Sequence, residues 1–236
     1  MISVVIPTLN EARSLPRLLA ALANEGVEHE IIVVDGGSSD GTISAALARR
    51  VTVVRASPGR GVAVRAGAQR ARGDILLFLH ADSTFPAGGL QRIEEVLASD
   101  RGLMGGNFRL VFGGESRFSR WLTGCYARIR RLGFYYGDSG IFVRRSVYDA
   151  LGGFRPIALM EDLDFVRRLE RFAKTCCIRE PPMITSSRRF KGRCPAEIVY
   201  GWIKLHIQFW LGVSPDRLAE SYRRCAPPTN PSHPSP

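Results

Sequence analysis

Four short apolar segments alternate with helical patterns over the first hundred residues of the chain. The segments are rich in Val, Ile and Leu and occupy residues 2–6, 31–34, 51–55 and 75–79. Strands of that composition, without regular polar alternation, are typical of sheets buried on both faces. The helical patterns between them cover residues 15–22, 42–49 and 62–72. This order predicts an α/β fold built on a doubly wound, mostly parallel sheet.

The rhythm changes after residue 100. The remaining patterns predict strands at 108–112 and 141–143 and helices at 90–98, 118–131 and 162–172. We interpret residues 1–223 as a single domain, with a nucleotide-binding half at about 1–100 and an acceptor half at about 101–190. The Pro- and Ser-rich segment 224–236 is predicted to be a disordered tail.

Composition limits the classes of partner. Apolar residues make up 45% of the 236 residues, enough for a sizeable core, and the formal net charge is +11. Only three of the 33 basic residues are lysines, and the arginine excess suits phosphate and carboxylate ligands, although a coding bias would give the same excess. Because the basic residues are spread along the chain, we expect anionic small molecules or membrane surfaces as partners and no nucleic acid.

The cysteines and the apolar runs indicate the compartment. Five cysteines without a C-x-x-C spacing predict neither a zinc site nor a disulfide framework. The chain begins with a strand-like segment and has no run of 18 apolar residues, so neither a signal peptide nor a membrane span is expected. The expected location is the cytoplasm, at the inner face of the membrane if a surface helix binds there.

Acidic residues follow two of the predicted strands at the point where each strand ends. Asp35 follows the segment 31–34, and His80 and Asp82 follow the segment 75–79. The carboxyl ends of parallel strands meet at one edge of the sheet, where nucleotides bind, so we expect Asp35 to contact a base or a ribose. Asp82 is the candidate ligand for Mg²⁺ or Mn²⁺ on a diphosphate, and His80 could add a ligand or bond a ribose hydroxyl.

The turn after the first strand, Pro-Thr-Leu-Asn-Glu at 7–11, is predicted to lie beside the Asp35 turn. Together the two strand ends could hold a nucleobase and its ribose. Alone, the turn at 7–11 is an ordinary connection from a strand to a helix. The other interpretation of the Asp35 turn is that it only caps the following helix, a role that we expect of Asp40.

Acidic residues also open the predicted helix at 162–172. A carboxylate at a helix N-terminus facing a cleft can act as a general base, and Glu161, Asp162 and Asp164 are the acids at this position. The alternative is that Glu161, Asp162 and Asp164 are first-turn charges that stabilise the helix dipole.

Two further polar segments are candidates for binding the acceptor or the diphosphate. A loop before a predicted strand holds Asp138, Ser139 and Gly140, and a basic stretch holds Arg188 and Arg189. Each has a plain structural interpretation, as loop chemistry and as a solvated basic surface respectively.

An amphipathic helix is predicted at 195–212, and its apolar face within 197–211 is wide. Its two apolar stripes are Ile198, Trp202, Leu205 and Phe209, and Val199, Ile203, Ile207 and Trp210. Such a face needs a cover. The alternatives are the domain itself, the interface of a bilayer, or a second copy of the chain in a homodimer.

Six motifs in a fixed order make the chain similar to a known family. They are Pro7-Thr8-Leu9-Asn10-Glu11, the run from Val34 to Thr42, Phe78-Leu79-His80-Ala81-Asp82, Gly137-Asp138-Ser139-Gly140, Gly152-Gly153-Phe154 and Met160-Glu161-Asp162. Over about residues 2–190 the chain resembles the family 2 glycosyltransferases of GT-A fold. Its His-Ala-Asp variant, with the segments 186–190 and 211–213, is most similar to a bacterial subgroup named for arsenosugar-type biosynthesis.

The resemblance implies an inverting transfer of a sugar from a nucleotide-diphospho-sugar to a small or lipid-linked acceptor, with Mg²⁺ or Mn²⁺. It implies Asp162 as general base, Glu161 as its support and Asp82 as the metal-binding acid. The implied donor residues are Pro7, Thr8, Glu11, Asp35, Gly36, Gly37, Arg65, His80 and Asp82. The implied acceptor or diphosphate residues are Asp138, Ser139, Gly140, Arg188 and Arg189.

Four residues depart from the family's pattern. His80 stands where many members have the first acid of the metal motif, and Gly36 stands where a second acidic residue is common. Arg65 replaces an expected Asn and Ser139 an expected Gln, so the resemblance identifies neither donor nor acceptor. A non-catalytic, nucleotide-sugar-binding scaffold or sensor is therefore the alternative function. A dinucleotide-dependent oxidoreductase would need G-x-G-x-x-G after the first strand, where the chain has Pro-Thr-Leu-Asn.

Overall fold

The structure is a computed structural model that describes residues 1–114, 116–185 and 194–225. Its strands are β1 (Ile2–Thr8), β2 (His29–Asp35), β3 (Thr52–Arg55), β4 (Ile75–Phe78), β5 (Leu103–Phe112), β6 (Ile141–Arg144) and β7 (Lys174–Thr185). Its helices are α1 (Leu15–Ala23), α2 (Thr42–Leu47), α3 (Arg60–Arg70), α4 (Gly89–Ser99), α5 (Arg117–Arg130), α6 (Arg145–Ala150), α7 (Glu161–Phe172), α8 (Pro195–Trp210) and α9 (Pro215–Cys225). A single 3-10 turn, Gly137–Ser139, precedes β6.

These strands form one sheet in the order β3-β2-β1-β4-β6-β5-β7. Strands β1 to β4 are mutually parallel, β6 is antiparallel to both of its neighbours, and β7 is parallel to β5. The predicted α/β fold with a doubly wound, mostly parallel sheet is confirmed.

Both faces of the sheet are buried, as its apolar strands require. Alternate side chains of β1 point to opposite faces. Ile2, Val4 and Ile6 belong to the core that includes the leucines of α1 and α4, whereas Val5 belongs to the core that includes α3 and α7. The sheet is therefore the middle layer of three.

The sequence patterns missed α6, β7 and α9 and predicted only the second half of β5. The first half of β5 contains Gly105 and Gly106, which normally weaken a strand. Here the missing side chain has a packing reason, because a Cβ at Gly106 would collide with the carbonyl oxygen of Cys176 on β7. Strand β7 contains Pro181 and Pro182 and lies at the edge of the sheet, where proline is tolerated.

The last described segment of the chain, residues 194–225, contains the two helices α8 and α9. Helix α8 lies within the segment predicted as a helix at 195–212, and α9 ends at Cys225, inside the segment 224–236 that was predicted as a tail. Residues 226–236 lie outside the described part. None of the helices in the described ranges has the length and apolar character needed to cross a bilayer.

Candidate active site

The carboxyl ends of β1, β2 and β4 lie side by side. Thr8 is the register partner of Asp35, and the turn that carries His80 and Asp82 follows β4 on the other side of β1. The chain runs from β1 outward to β3 and then returns across β1 to β4, so the strand order reverses here. In open α/β sheets such a reversal creates the crevice in which ligands bind.

Hydrogen bonds join the turn at 7–11 to the loop after β2. The Gly36 amide donates to the carbonyl oxygen of Thr8 at 2.9 Å, and the Ser39 amide donates to Asn10 Oδ1 at 2.9 Å. The Glu11 amide donates to Thr42 Oγ1 at 2.8 Å. The predicted proximity of the two turns is therefore observed, and it places Pro7, Thr8 and Glu11 beside the loop at 35–37.

Asp35 is buried and shapes its own loop. Its Oδ2 accepts hydrogen bonds of 3.0 Å from the amides of Gly37 and Ser38. The N-cap of α2 is Gly41 rather than the expected Asp40, but the first amide of the helix, that of Thr42, donates to Asp40 Oδ1 at 2.9 Å. Asp35 is thus held in place at the strand end independently of α2, and its contact with a base stays a prediction.

A cluster of one cation and two carboxylates lies at the start of α7. Arg60 Nε donates a hydrogen bond to Glu161 Oε1, and Arg60 Nη2 lies 3.9 Å from Asp162 Oδ2. Asp162 Oδ2 accepts a 2.9 Å bond from the Gly137 amide, and its Oδ1 accepts a 2.8 Å bond from the Leu163 amide. Because each of its two oxygens accepts a hydrogen bond from a backbone amide, the Asp162 carboxylate is held in one orientation at the cleft.

Local backbone geometry produces this cluster. Gly61, the second residue of α3, lies so close to the backbone of 155–157 that a Cβ there would be 2.6 Å from the carbonyl oxygen of Arg155. That close approach brings Arg60 to the start of α7. Met160, directly before α7, has φ of 64°, in the left-handed region that is costly for a residue with a side chain. Such costs concentrate at functional sites.

Burial and charge set the protonation of the cluster. Burial raises the pKa of Glu161, and the neighbouring Arg60 only partly opposes that effect. Burial acts against the charged form of Arg60, but Glu161 and Asp162 outweigh it and raise the pKa of the guanidinium. Glu161 Oε2 is buried and has no hydrogen-bond partner among the described residues. The positive charge of Arg60 therefore offsets the cost of burying Glu161 and Asp162 side by side.

We expect Arg60→Met to destabilise the protein by about 2–3 kcal/mol. Breaking a fully buried ion pair costs about 3–5 kcal/mol, and we discount this because the Arg60 side chain is 39% exposed. The loss of the cation raises the pKa of Glu161 further. When a buried acid has a higher pKa in the folded than in the unfolded protein, the free energy of unfolding falls as the pH rises above the ordinary pKa of that acid, here 4.5. The deficit should therefore grow from pH 4.5 to pH 8.

Thermal unfolding of wild type and variant at the two pH values measures this growth. Arg65→Met is the matched control, since Arg65 is an exposed arginine of the same helix that donates to the carbonyl oxygens of Gly152 and Phe154. A deficit for Arg60→Met that is independent of pH would show that Arg60 neutralises no buried acid.

His80 and Asp82 line the same cleft as Asp162. Gly137 lets the loops close together, since a Cβ there would lie 2.5 Å from His80 Nε2. Among the described residues, no group of three or more His, Cys, Asp or Glu side chains is arranged to hold a metal ion. The exposed Asp82 nevertheless fits a Mg²⁺-type site, in which one or two carboxylates share the ion with substrate phosphates.

Several predicted site residues lie elsewhere. Arg65 is five residues from Arg60, about 140° around the helix, so it points to the turn at 152–154 and away from the cleft. The Ser139 hydroxyl donates to the Tyr136 carbonyl oxygen at 2.6 Å, and Gly140, with φ of 67°, packs on Leu79. Of the three described loop residues 138–140, Asp138 lines the cavity and the other two do not. Arg188 and Arg189 lie outside the described residues.

The sequence analysis did not single out other residues that the structure brings to the site. Arg60 follows the loop after β3, at the same sheet edge as Asp35. That position in the sequence could have identified Arg60 as a candidate site residue. Arg13 and Arg17 line a polar cavity of about 520 Å³ that adjoins Asp82. The apolar wall of the cleft comes from α5 and α8, a contact that spacing along the chain does not reveal.

Helix α8 packs on the domain through one of its two apolar stripes. Ile198 and Trp202 join the core next to α5, and Leu205 and Phe209 pack with Met160 and Leu163. Ile203 and Ile207 of the other stripe remain about half exposed. The domain itself, the first of the three alternatives, therefore covers one of the two apolar stripes of the helix.

Comparisons with known proteins agree with this arrangement. The family model for "Glycosyl transferase family 2" matches residues 3–152. An uncharacterised glycosyltransferase of Mycobacterium tuberculosis (strain ATCC 25618 / H37Rv) is 36% identical over 113 residues, which cover 48% of this chain and 50% of that protein. An undecaprenyl-phosphate 4-deoxy-4-formamido-L-arabinose transferase of Pseudomonas paraeruginosa is 32% identical over 201 residues, 76% of this chain and 56% of the relative. The chain spans about half the length of these curated relatives.

Solved structures share the fold. The mannosyltransferase PcManGT from Pyrobaculum calidifontis, in complex with GDP-Man and Mn²⁺, has a TM-score of 0.65 at 19% identity and covers 86% of this chain and 61% of its own. S. aureus TarS 1-349 in complex with UDP-GlcNAc has a TM-score of 0.67 at 15% identity, covering 92% and 70%. With the sheet order, the strand-end acids and the family match together, this chain belongs to glycosyltransferase family 2 and has the GT-A fold.

Proposed function

We propose that this glycosyltransferase moves a sugar from a nucleotide-diphospho-sugar to its acceptor with inversion, and that it depends on Mg²⁺ or Mn²⁺. One observation carries the proposal. The Asp162 carboxylate, fixed by the Gly137 amide, lines the same cleft as Asp82 and His80. An inverting displacement needs a base on one face of the sugar and the leaving group on the other.

The proposed step is a single displacement. The acceptor oxygen forms a bond to the anomeric carbon as the bond from that carbon to the diphosphate oxygen breaks. An acceptor hydroxyl, or the remaining P–OH of a singly protonated lipid phosphate, gives its proton to the Asp162 carboxylate, and the nucleoside diphosphate leaves with the bonding electrons. Arg60 and Glu161 position Asp162, since the guanidinium contacts both carboxylates. Asp35 and the turn at 7–11 hold the nucleoside at the sheet edge.

Asp82, with His80 beside it, is the ligand that the protein contributes to the metal site. These residues would hold a divalent ion, which would neutralise charge on the departing diphosphate. A relative in the fold comparison is described in complex with GDP-Man and Mn²⁺, which supports this choice of ion. The donor's nucleotide is left open by the residues, and UDP, GDP and dTDP sugars are the donors to try.

The acceptor is small or lipid-linked, and two observations favour a lipid. Relatives that match 64% and 76% of this chain are named as undecaprenyl-phosphate sugar transferases. The catalytic cleft also has a wide apolar wall. A lipid acceptor would place the protein at the inner face of the membrane, in contact through the exposed part of 197–211.

The test is a reaction of the full chain with UDP-, GDP- and dTDP-sugars, each with Mn²⁺ and with EDTA. Calorimetry should show that one donor binds only with the metal. NMR of the glycosylated or hydrolysed sugar should show an anomeric configuration opposite to that of the donor. Metal-dependent donor binding without turnover would favour the scaffold alternative, which the His80 and Gly36 departures motivate. Binding of none of the donors by folded protein would contradict both.

A further inference from the structure

All three tryptophans of the chain line one cleft between α5 and α8. The chain contains Trp121, Trp202 and Trp210 and no others. Trp121 on α5 is 50% exposed, and across the cleft Ile203, Ile207 and Trp210 on α8 are 51–54% exposed. Large apolar side chains that remain exposed in a contiguous group mark binding surfaces. Tryptophan in particular is enriched where an apolar site borders water.

The cleft is continuous with the catalytic carboxylates. A single cavity of about 490 Å³, within the ~300–1,000 Å³ range of ligand sites, is lined both by Asp82, Asp138 and Asp162 and by side chains of α5 and α8. A ligand that fills it has a polar end at the acids and an apolar body along the helices. That description fits an amphiphile with one long chain.

A partly buried polar link joins the apolar wall to the catalytic loop. The Tyr136 hydroxyl lies 2.8 Å from His206 Nε2, and His206 Nδ1 lies 2.7 Å from the carbonyl oxygen of Trp202. Because a carbonyl oxygen only accepts, Nδ1 carries the proton and Nε2 accepts from Tyr136. Burial, with Asp162 and Asp138 nearby, raises the pKa of Tyr136, so its hydroxyl stays protonated and the link stays formed. The wall is thus held at a fixed distance from Asp162.

Helix α5, which forms one wall of the cleft, is basic outside the cleft lining, and this surface favours an anionic amphiphile. Helix α5 contains no acidic residue, and four arginines on it or directly after it are exposed. They are Arg117, Arg120, Arg128 and Arg131. A basic surface of this kind attracts anionic ligands before contact.

We propose that the cleft between α5 and α8 binds the apolar chain of a single-chain lipid phosphate, the acceptor of the transfer. This inference rests on the proposed function, because it places the reacting end of the lipid at Asp162. The chain lies between Trp121 on one side and Ile203 and Ile207 on the other, and does not rest on the outer face of α8.

The experiment titrates farnesyl phosphate, below its aggregation concentration, into the full chain and follows tryptophan emission. All three fluorophores line the cleft, so we expect a saturable blue shift. Ile203→Asp and Ile207→Asp should each weaken binding at least about tenfold, because the chain would have to desolvate a carboxylate. Tyr200→Asp and Leu211→Asp are matched controls, being 68% and 77% exposed near the same cleft but outside its lining, and should leave binding unchanged.

Two results would overturn the proposal. One is wild-type emission that does not respond to farnesyl phosphate. The other is an equal loss of binding in all four variants, with phosphatidylglycerol vesicles alone giving the same shift, which would indicate a bilayer on the outer face of α8. Donor binding with Mn²⁺, measured on the same proteins, separates the two claims. A lipid response without donor binding would remove the proposed function and keep the cleft assignment.

Discussion

Asp162→Asn should lower the rate of sugar transfer by about a thousandfold while leaving donor affinity nearly unchanged. A positioned general base contributes about 10²–10⁴ in rate, and an amide at this position cannot take the acceptor proton. The Gly137 amide and the Leu163 amide both donate to the Asp162 carboxylate, so the variant also loses one of these bonds. The measurement is the single-turnover transfer rate beside the donor dissociation constant from calorimetry.

Asp164→Asn is the control for this variant. Asp164 lies in the same first turn of α7, but its carboxylate binds Arg155 at 3.0 Å and Arg168 at 2.7 Å. If the three acids only stabilise the helix dipole, the two variants should show the same small effect. A transfer rate for Asp162→Asn within tenfold of that for Asp164→Asn would contradict the role of Asp162 as base.

Asp82→Asn should abolish the difference in donor binding between Mn²⁺ and EDTA and lower transfer at least about a hundredfold. A bound divalent ion contributes several kcal/mol to charge stabilisation in such reactions, and each 1.36 kcal/mol is about tenfold in rate. The Asp82 side chain is exposed at the cleft, so the change should leave the fold intact. Calorimetry with Mn²⁺ and then with EDTA gives the result.

Asp74→Asn controls for the loss of an acidic charge near β4. Asp74 lies just before the other end of the same strand and its side chain is 92% exposed. Donor binding by that variant should keep its metal dependence. If Asp82→Asn also keeps it, the ion is held elsewhere and His80 becomes the residue to substitute next.

The candidate residues whose place in the fold follows from the sequence share a feature. Asp35 ends β2 and Asp82 lies in the turn after β4, so the topology alone brings them to one edge. Asp162 was placed at the start of a helix, and the structure puts it there. In each case the position depends on local pattern and on the rule that parallel strands end at the same edge.

The errors depend on information that is not local. Arg60 and Glu161 are 101 residues apart, and no spacing indicates their contact. Arg65 was assigned to the donor wall, but the rotation of α3 turns it toward the 152–154 turn, and that rotation is fixed by close packing at Gly61. The strand β7 was missed because Pro181 and Pro182 interrupt its pattern.

Those prolines have a consequence for how the protein behaves in concentrated solution. The outer strand of an open sheet offers unpaired amides and carbonyls to any neighbouring chain, and self-association through such edges leads to aggregates. Proline has no amide hydrogen, so Pro181 and Pro182 leave β7 with two fewer donors, at the point where its register against β5 shifts. The opposite edge, β3, is only four residues long. The sheet is therefore poorly suited to growing by strand addition, and a copy of the chain meeting either edge finds little to pair with.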